Sequence, residues 1–484
     1  MPAPATKNDF VIAIDQGTTA TKVHRLDAQG QFTALESIAH AQLFPKPGWV
    51  EHDAGELLRS VMRGIERAAG AAGIGIDNQG ETVVAWDAKT GDPIYNAIVW
   101  QDNRTHDAVE QLRNGGCEAL TLERAGLPLD PYFSATKLRW ILDNVERART
   151  LLAAGRLRMG TSDSFFIDRL CGRFVTDVTT ASRTSLMNLR TQQWDPELCN
   201  LFGVPMPVLP EILPCMCNFA ATGNRASAPN IVMSIVDQQA ALYGHGCRNI
   251  GDAKITFGTG AFALCVTGDS PYSDPQSGLL PTIAWQLQGH APVYALDGGV
   301  YNAGSAVDWS RKLGMFNEYH EIDLFDGHSA IERGLAFVPA LSGLACPYWD
   351  RSAAGMWLGL GLETTRRDMA QAVLEGVALR TAQVIAAMGK HVPMREVISV
   401  DGGLARNRYF CSFLSAATGC EIVVKNLTEL TGFGNAQLTA LAANLEVAYD
   451  SAHSPTHSVR SQPLPESTHE RFANAIDRCR SWRR

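Results

Sequence analysis

Apolar residues along this chain fall into two kinds of run. The first kind is a short block that ends abruptly on a polar cluster. Val11-Ile12-Ala13-Ile14 stops at Asp15-Gln16-Gly17-Thr18-Thr19, and Ile74-Gly75-Ile76 stops at Asp77-Asn78-Gln79-Gly80-Glu81. Ala97-Ile98-Val99 runs into Trp100-Gln101-Asp102, Ile231 through Val236 into Asp237-Gln238, and Ile255-Thr256-Phe257 into Gly258-Thr259-Gly260. Blocks this short and this rich in β-branched residues read as buried strands. The second kind repeats at helical spacing. Leu57, Leu58, Val61 and Ile65 predict a helix over 54–73 that Gly73 stops, and Leu138, Ile141 and Leu142 predict one capped near Ser134. A further helix opens at Gly304, and 366–390 reads as one long helix.

Polar clusters at the ends of buried strands are where α/β sheets present ligand groups. In the first of them, Gly17 lets the backbone turn tightly, Asp15 offers a metal-facing anion, and Thr18 and Thr19 offer donors to phosphate. A β pattern resumes at Val23-His24-Arg25-Leu26, so this turn joins two strands and opens no helix, which argues against a Rossmann or P-loop site. An ordinary Asp/Gly hairpin turn remains the alternative. The residues Ala253 to Val266 repeat the strand, Gly/Thr turn, strand theme, and two such hairpins suggest duplicated lobes closing on one nucleotide. Asp237, opening a helix, is equally a helix cap. Asp401-Gly402-Gly403 is a turn, or bare backbone against which a flat base or ribose can lie.

Composition narrows the class. The 484 residues have length for roughly three domains or two large ones, with 45% hydrophobic and 19% charged residues, as in a globular protein. A net charge of -8 gives no general attraction to nucleic acid or an anionic membrane. The first residues, Met1-Pro2-Ala3-Pro4-Ala5-Thr6-Lys7, lack the apolar core of a signal peptide, and no uninterrupted apolar run is long enough to cross a bilayer, so a cytoplasmic address is expected. Eleven scattered cysteines fit a reducing compartment, and Cys215-Met216-Cys217, with no second pair at metal spacing, reads as core filler. The stretch 214–230 is polar and irregular. The tail 451–469, rich in Ser, His and Pro, reads as a mobile linker before a short basic helix.

The run from Tyr132 to Asn144, taken with Asp15-Gln16-Gly17-Thr18-Thr19, Pro47-Gly48-Trp49-Val50-Glu51-His52-Asp53 and Asn96 through Asp102, resembles the FGGY carbohydrate kinases over nearly the whole chain, and among them the glycerol kinase branch. Thr176 through Thr184 also resembles that family, and reads as structural caps. The resemblance implies two α/β lobes of the actin, hexokinase and Hsp70 kind, ribonuclease H-like, with a cleft between them. The expected division is 1–246 for the polyol-binding lobe with the catalytic base, 247–450 for the nucleotide lobe, and 451–484 for the tail. The implied reaction is transfer of the ATP γ-phosphoryl group, with Mg²⁺, to a hydroxyl of a small polyol or sugar. Asp237 is then the proton acceptor and Asp15 the metal-side carboxylate. Glu81, Tyr132, Asp237 and Gln238 would hold the substrate between the apolar walls Trp100 and Phe262. Thr18, Thr19, Lys22, Gly258, Thr259, Gly304, Asp308, Gly403 and Asn407 fall on the nucleotide side. No nucleic acid or membrane partner is expected, and a homodimer or homotetramer is open.

The sequence departs from the family pattern at four positions. Gly80 stands where glycerol kinases carry an arginine, and losing a charged hydrogen bond of about 1.5–3 kcal/mol would weaken glycerol roughly ten- to a hundredfold. Glycerol, giving glycerol 3-phosphate, stays slightly ahead as the expected acceptor, and the space vacated at Gly80 leaves a tetritol or pentulose such as erythritol or xylulose as the alternative. Lys22 replaces an arginine and loses its planar fork. Asp308 replaces a nucleotide-side glutamine, and Val236 a glycine before Asp237. These changes also leave open a catalytically weak nucleotide-binding paralogue with a regulatory role.

Overall fold

The computed structural model describes residues 9–221, 229–272, 274, 277–425, 427–448 and 455–483. Its first large sheet runs, edge to edge, Met216–Ala221, Asn230–Val236, Ile74–Asn78, Phe10–Gln16, Ala20–Asp27 and Phe32–Ala39. Phe10–Gln16, Ile74–Asn78 and Asn230–Val236 form a parallel centre. Both faces of these strands are covered, which is why their sequences are apolar blocks without alternation. The second sheet runs Leu280–Trp285, Val293–Val300, Ala261–Gly268, Ala253–Phe257, Val397–Gly402, Glu421–Lys425 and Pro455–Val459.

Within the second sheet Ala253–Phe257 holds the place that Phe10–Gln16 holds in the first. Each pairs antiparallel with the strand after its hairpin and parallel with a later strand on its other side. The duplication expected from the two Gly/Thr turns is therefore present. A smaller four-stranded sheet, Glu51–His52, Ala97–Ile98, Val83–Asp87 and Leu157–Thr161, extends the first lobe.

Register fixes where the acids stand. Asp15 lies opposite Asp77, and Ile235 and Val236 lie opposite Asp77 and Asn78. Asp15, Asp77 and Asp237 thus share the carboxyl end of three adjacent parallel strands, the edge where such sheets offer ligand groups. The helix Asp237–Gly244 is gripped from below by Leu430–Ala442. A methyl group on Gly434 would stand 1.9 Å from Ala240 O, and one on Gly244 2.0 Å from Leu430 O, so the two backbones touch. Leu430–Ala442 comes late in the chain, yet its Phe433, Ala436 and Ala440 pack on Val11, Ala13 and Leu26 of the first lobe.

Four elements differ from the reading of the sequence. The first helix is Ala54–Glu66, capped by Asp53, and stops before Gly73. The run Ala68-Ala69-Gly70-Ala71-Ala72 has no large side chain to hold a further turn on the sheet, and Gly70, at φ 81°, reverses the chain instead. Ser134 begins the helix Ser134–Asn144 without capping it; its hydroxyl donates to Glu81 O at 3.1 Å. The tail is built into the second lobe: Pro455–Val459 pairs with Glu421–Lys425, and Glu466–Cys479 buries Phe472, Ala475, Ile476 and Cys479 in the core. Residues 451–454 of the expected linker, and 222–228 of the irregular stretch, lie outside the described residues, and Met216–Ala221 is a strand. Arg366–Gly389 is, among the described residues, the one helix long and apolar enough to cross a membrane, and it is buried in the second lobe.

Candidate functional site

The first hairpin turn is closed by Gly17 N donating to Ala20 O at 3.1 Å, with Thr18 and Thr19 at its tip. Trp100 Nε1 donates to Thr18 Oγ1 at 3.1 Å, tying the turn to the aromatic wall beside it. Lys22 faces the same region but is paired with Glu429 at 2.6 Å. Burial pushes the Asp15 carboxyl up to about 6, against the opposing hydrogen bond from Asp77 and the charge of Lys22. Asp77 is held well above the usual carboxylate range by burial and by the charge of Asp15, while Asn435 Nδ2 donates to it at 2.6 Å. Burial, then the charges of Asp15 and Glu81, pushes Asp237 up to about 7. Three crowded acids at one strand edge make a place that favours a cation or a proton.

Asp237 opens onto a small enclosed cavity that Glu81, Tyr132, Gln238 and Phe262 also line, together with Arg183, Val236 and Asp297. It encloses about 20 Å³, room for roughly one water molecule, so the two lobes stand closed over it. Trp100 stands behind the lining, edge-on to Tyr132 at 5.7 Å and to Phe262 at 6.4 Å. Glu81 sits in a tight turn at φ 60°, with Thr82 N donating to Gly80 O at 2.7 Å, a backbone costing on the order of 1–3 kcal/mol. The turn is held by the Ser134 hydroxyl on Glu81 O and by Arg183 Nε on Glu81 Oε1 at 2.7 Å. Tyr132 is fixed from beneath. Lys137, fully buried, donates to the carbonyls of Pro131, Tyr132 and Phe133, and burial pulls its amine down to about 8.

A larger cavity of about 600 Å³ lies in the second lobe, lined by Gly258, Thr259, Gly304, Asp308, Gly403 and Asn407 among others. Gly403 leaves bare backbone facing open space, whereas Gly402, at φ 91°, passes so close to Phe257 O that a methyl group would stand 2.1 Å from it. Asn407 caps the helix Arg408–Thr418 and donates to Ile322 O, so it shapes the cavity as well as lining it. Asp308 accepts from the Tyr319 hydroxyl.

Every candidate named from the sequence falls on the first hairpin (Asp15 and Lys22 in its strands, Thr18 and Thr19 at its turn), in one of these cavities, or, as Trp100 does, immediately behind one. Four further groups were not foreseen. Arg183, read as part of a structural capping stretch, spans the lobes from Glu81 to Asp297, the latter at 3.0 Å. Asp77 and Asp297 carry the same signal as Asp15, an acid at or near the end of an apolar block. Lys254 donates to Gln238 Oε1 at 2.6 Å across the lobe boundary. The space expected beside Gly80 is not empty: Val236 Cγ1 stands 3.1 Å from where a Cβ on Gly80 would be. The two departures meet in space, one side chain filling what the other gives up.

Comparison with known proteins agrees with this geometry. Residues 10–244 match the N-terminal domain, and 253–443 the C-terminal domain, of the FGGY family of carbohydrate kinases. A glycerol kinase of Citrifermentans bemidjiense is 40% identical over 452 residues, covering 90% of this chain and 91% of that protein. One from Alkalilimnicola ehrlichii is 39% identical over 491 residues, covering 98% and 99%. Among solved structures, Plasmodium falciparum glycerol kinase with ADP superposes with a TM-score of 0.89 at 30% identity, covering 97% of this chain and 98% of that one. A xylulose kinase from Lactobacillus acidophilus superposes at 0.85 with 22% identity, over 97% of each chain, which shows the shared fold. The chain belongs to the FGGY family of carbohydrate kinases, enzymes that use ATP with Mg²⁺ to phosphorylate a small polyol or sugar.

Proposed function

We propose that this kinase phosphorylates a terminal hydroxyl of a short polyol, glycerol to glycerol 3-phosphate, with Asp237 as the base. The observation that carries this reading is the place of Asp237: it lines the small cavity beside Glu81 and Tyr132 and stands one strand from Asp77 and two from Asp15. The acceptor is bound between the residues that line that cavity, which widens as the lobes part to admit it, with its hydroxyls on Glu81, Tyr132 and Gln238 and its carbon chain against Phe262 and Trp100. Asp237 takes the proton as the hydroxyl oxygen bonds to the γ-phosphorus and ADP leaves. A carboxylate with its proton affinity raised to about 7 is matched to that task near neutral pH. Thr18, Thr19, Lys22 and Thr259 hold the phosphates, and Gly258, Gly304, Asp308, Gly403 and Asn407 form the nucleoside side.

Among the described residues no three His, Cys, Asp or Glu side chains come together as a cation cage. Asp15 fits the Mg²⁺ that accompanies ATP, because that ion takes one or two carboxylates and fills the rest of its shell with phosphate oxygens and water. Bound there it neutralises charge on the phosphates. The chain's own residues supply position and proton transfer. Val236 beside Gly80 keeps the cavity short, which favours glycerol over a tetritol or pentulose. The named relatives at about 40% identity point the same way.

A coupled ADP-release assay over glycerol, erythritol, xylulose, ribulose and gluconate tests the proposal. The highest kcat/KM is expected on glycerol. A preference for a five-carbon sugar would overturn the acceptor assignment.

A further inference from the structure

Of three buried cations in or beside the small cavity, Arg183 is in the lining, and the Lys137 and Lys254 amines each bond to a residue of it. Lys137 gives its three N–H groups to three carbonyls. Lys254 gives two to Gln238 Oε1 and Thr256 Oγ1. Arg183 is different. Its Nε donates to Glu81 Oε1 at 2.7 Å and its Nη2 pairs with Asp297 Oδ2 at 3.0 Å, but its Nη1 has no partner although the residue is only 3% exposed. A buried guanidinium N–H without a partner is rare, and Arg183 is one of the residues lining the cavity that Asp237 also lines. The planar fork is pinned at two corners and flanked by the Tyr132 and Phe133 rings at 5.7 and 5.6 Å, which holds the plane of the guanidinium beside the cavity.

We propose that Arg183 binds the phosphoryl acceptor: its Nη1 donates to a hydroxyl oxygen whose own proton is accepted by Glu81, with Asp297 holding the guanidinium in that orientation. The proposal rests on the reading of the small cavity as the polyol site. A hydroxyl both donates and accepts, so a carboxylate and a guanidinium side by side satisfy it completely, which an apolar or singly polar analogue cannot match. Arg183 thereby supplies the cation that Gly80 does not. Because Glu81 lies in the first lobe and Asp297 in the second, the same side chain links acceptor binding to lobe closure.

The test is steady-state kinetics of wild type, Arg183→Lys, Arg183→Met and Asp297→Asn on glycerol, propane-1,2-diol and propane-1,3-diol, with ADP binding and thermal melts as controls. Both Arg183 variants are expected to raise KM for glycerol about ten- to a hundredfold, with kcat and KM for ATP changed far less. The preference for glycerol over the diol that lacks the hydroxyl held by Arg183 should collapse by the same factor, and the preference over the other diol should persist. Asp297→Asn, which leaves the guanidinium in place, should move the same quantities less. A folded Arg183 variant, binding ADP normally, that keeps the wild-type KM for glycerol overturns the proposal, as does an equal loss on all three acceptors, which a mere brace between lobes would give. If neither Arg183 variant folds, unchanged acceptor KM in Asp297→Asn overturns it. Wild type that turns over none of the three overturns the reading of the cavity itself, a result distinguishable from unchanged KM in an active enzyme.

Discussion

Replacing Asp237 by Asn should make the enzyme slower and its fold more stable at the same time. The carboxyl moves from 3.8 to about 7 on folding, chiefly through burial and then through the charges of Asp15 and Glu81. At about 1.4 kcal/mol per pH unit, carrying the ionised form costs the empty fold on the order of 4 kcal/mol above pH 7. The folded value is the higher one, so between about pH 4 and 7 the native state keeps a proton that the unfolded chain has released. Stability contributed by this group is therefore complete below about pH 4 and lost as pH rises through 7. Asn carries no such penalty. Urea melts should show the variant within about 0.6 kcal/mol of wild type at pH 4, more stable by about 1.6 kcal/mol at pH 5, and by up to about 4 kcal/mol at pH 8. Turnover should fall about 10²–10⁴-fold, the usual contribution of a positioned base. A variant that keeps more than a tenth of wild-type turnover, or a stability difference that does not change with pH, would refute the reasoning.

Other substitutions probe separate parts of the site. Trp100→Phe keeps the edge contacts with Tyr132 and Phe262 but loses the hydrogen bond to Thr18, and should lower kcat/KM about fivefold, as about 1 kcal/mol implies. Gly434→Ala forces a methyl group to 1.9 Å from Ala240 O and should destabilise by about 1–3 kcal/mol or more, read as a lower Tm, while disturbing the helix that starts at Asp237. Gly80→Arg alone meets Val236 and should lower activity on glycerol; adding Val236→Gly should restore it, with a coupling of about 0.5–3 kcal/mol in a double-mutant cycle. Glu429→Gln frees Lys22 and should lower KM for ATP a few-fold at low salt, less at high salt, because the pair is partly exposed.

The parts of this fold that could be read from the sequence are those set by local physics. A strand buried on both faces must be an apolar block, so the central strands and both hairpins stood out, as did the acids on which those blocks end. What failed depends on distant neighbours. Nothing near 455–459 in the chain signals a strand; it forms because Glu421–Lys425 presents an open edge. Asp77 looked like any strand-end residue until register set it beside Asp15, 62 positions away. Arg183 hid in a run of small hydroxyl residues, where a lone cation was itself the available clue, because both its carboxylate partners are about a hundred residues away in the chain.

The same logic changes what a departure from a family pattern means. Read along the chain, Gly80 is a lost arginine and Val236 an unexplained branched side chain; in space they are one exchange, the valine occupying volume beside the bare backbone. A cavity has a shape and a charge, and neither depends on which strand supplies them. If Arg183 carries the charge that position 80 lacks, then Gly80, Val236, Arg183 and Asp297 form a single specificity unit. Restoring the arginine at 80 with glycine at 236, while Arg183 remains, would then put two guanidinium groups against Glu81. Like charges so close oppose each other, so the restored pair should gain less affinity for glycerol than it does when Arg183 is first replaced by Met. That dependence of one arginine's worth on the other separates a shared site from two independent ones.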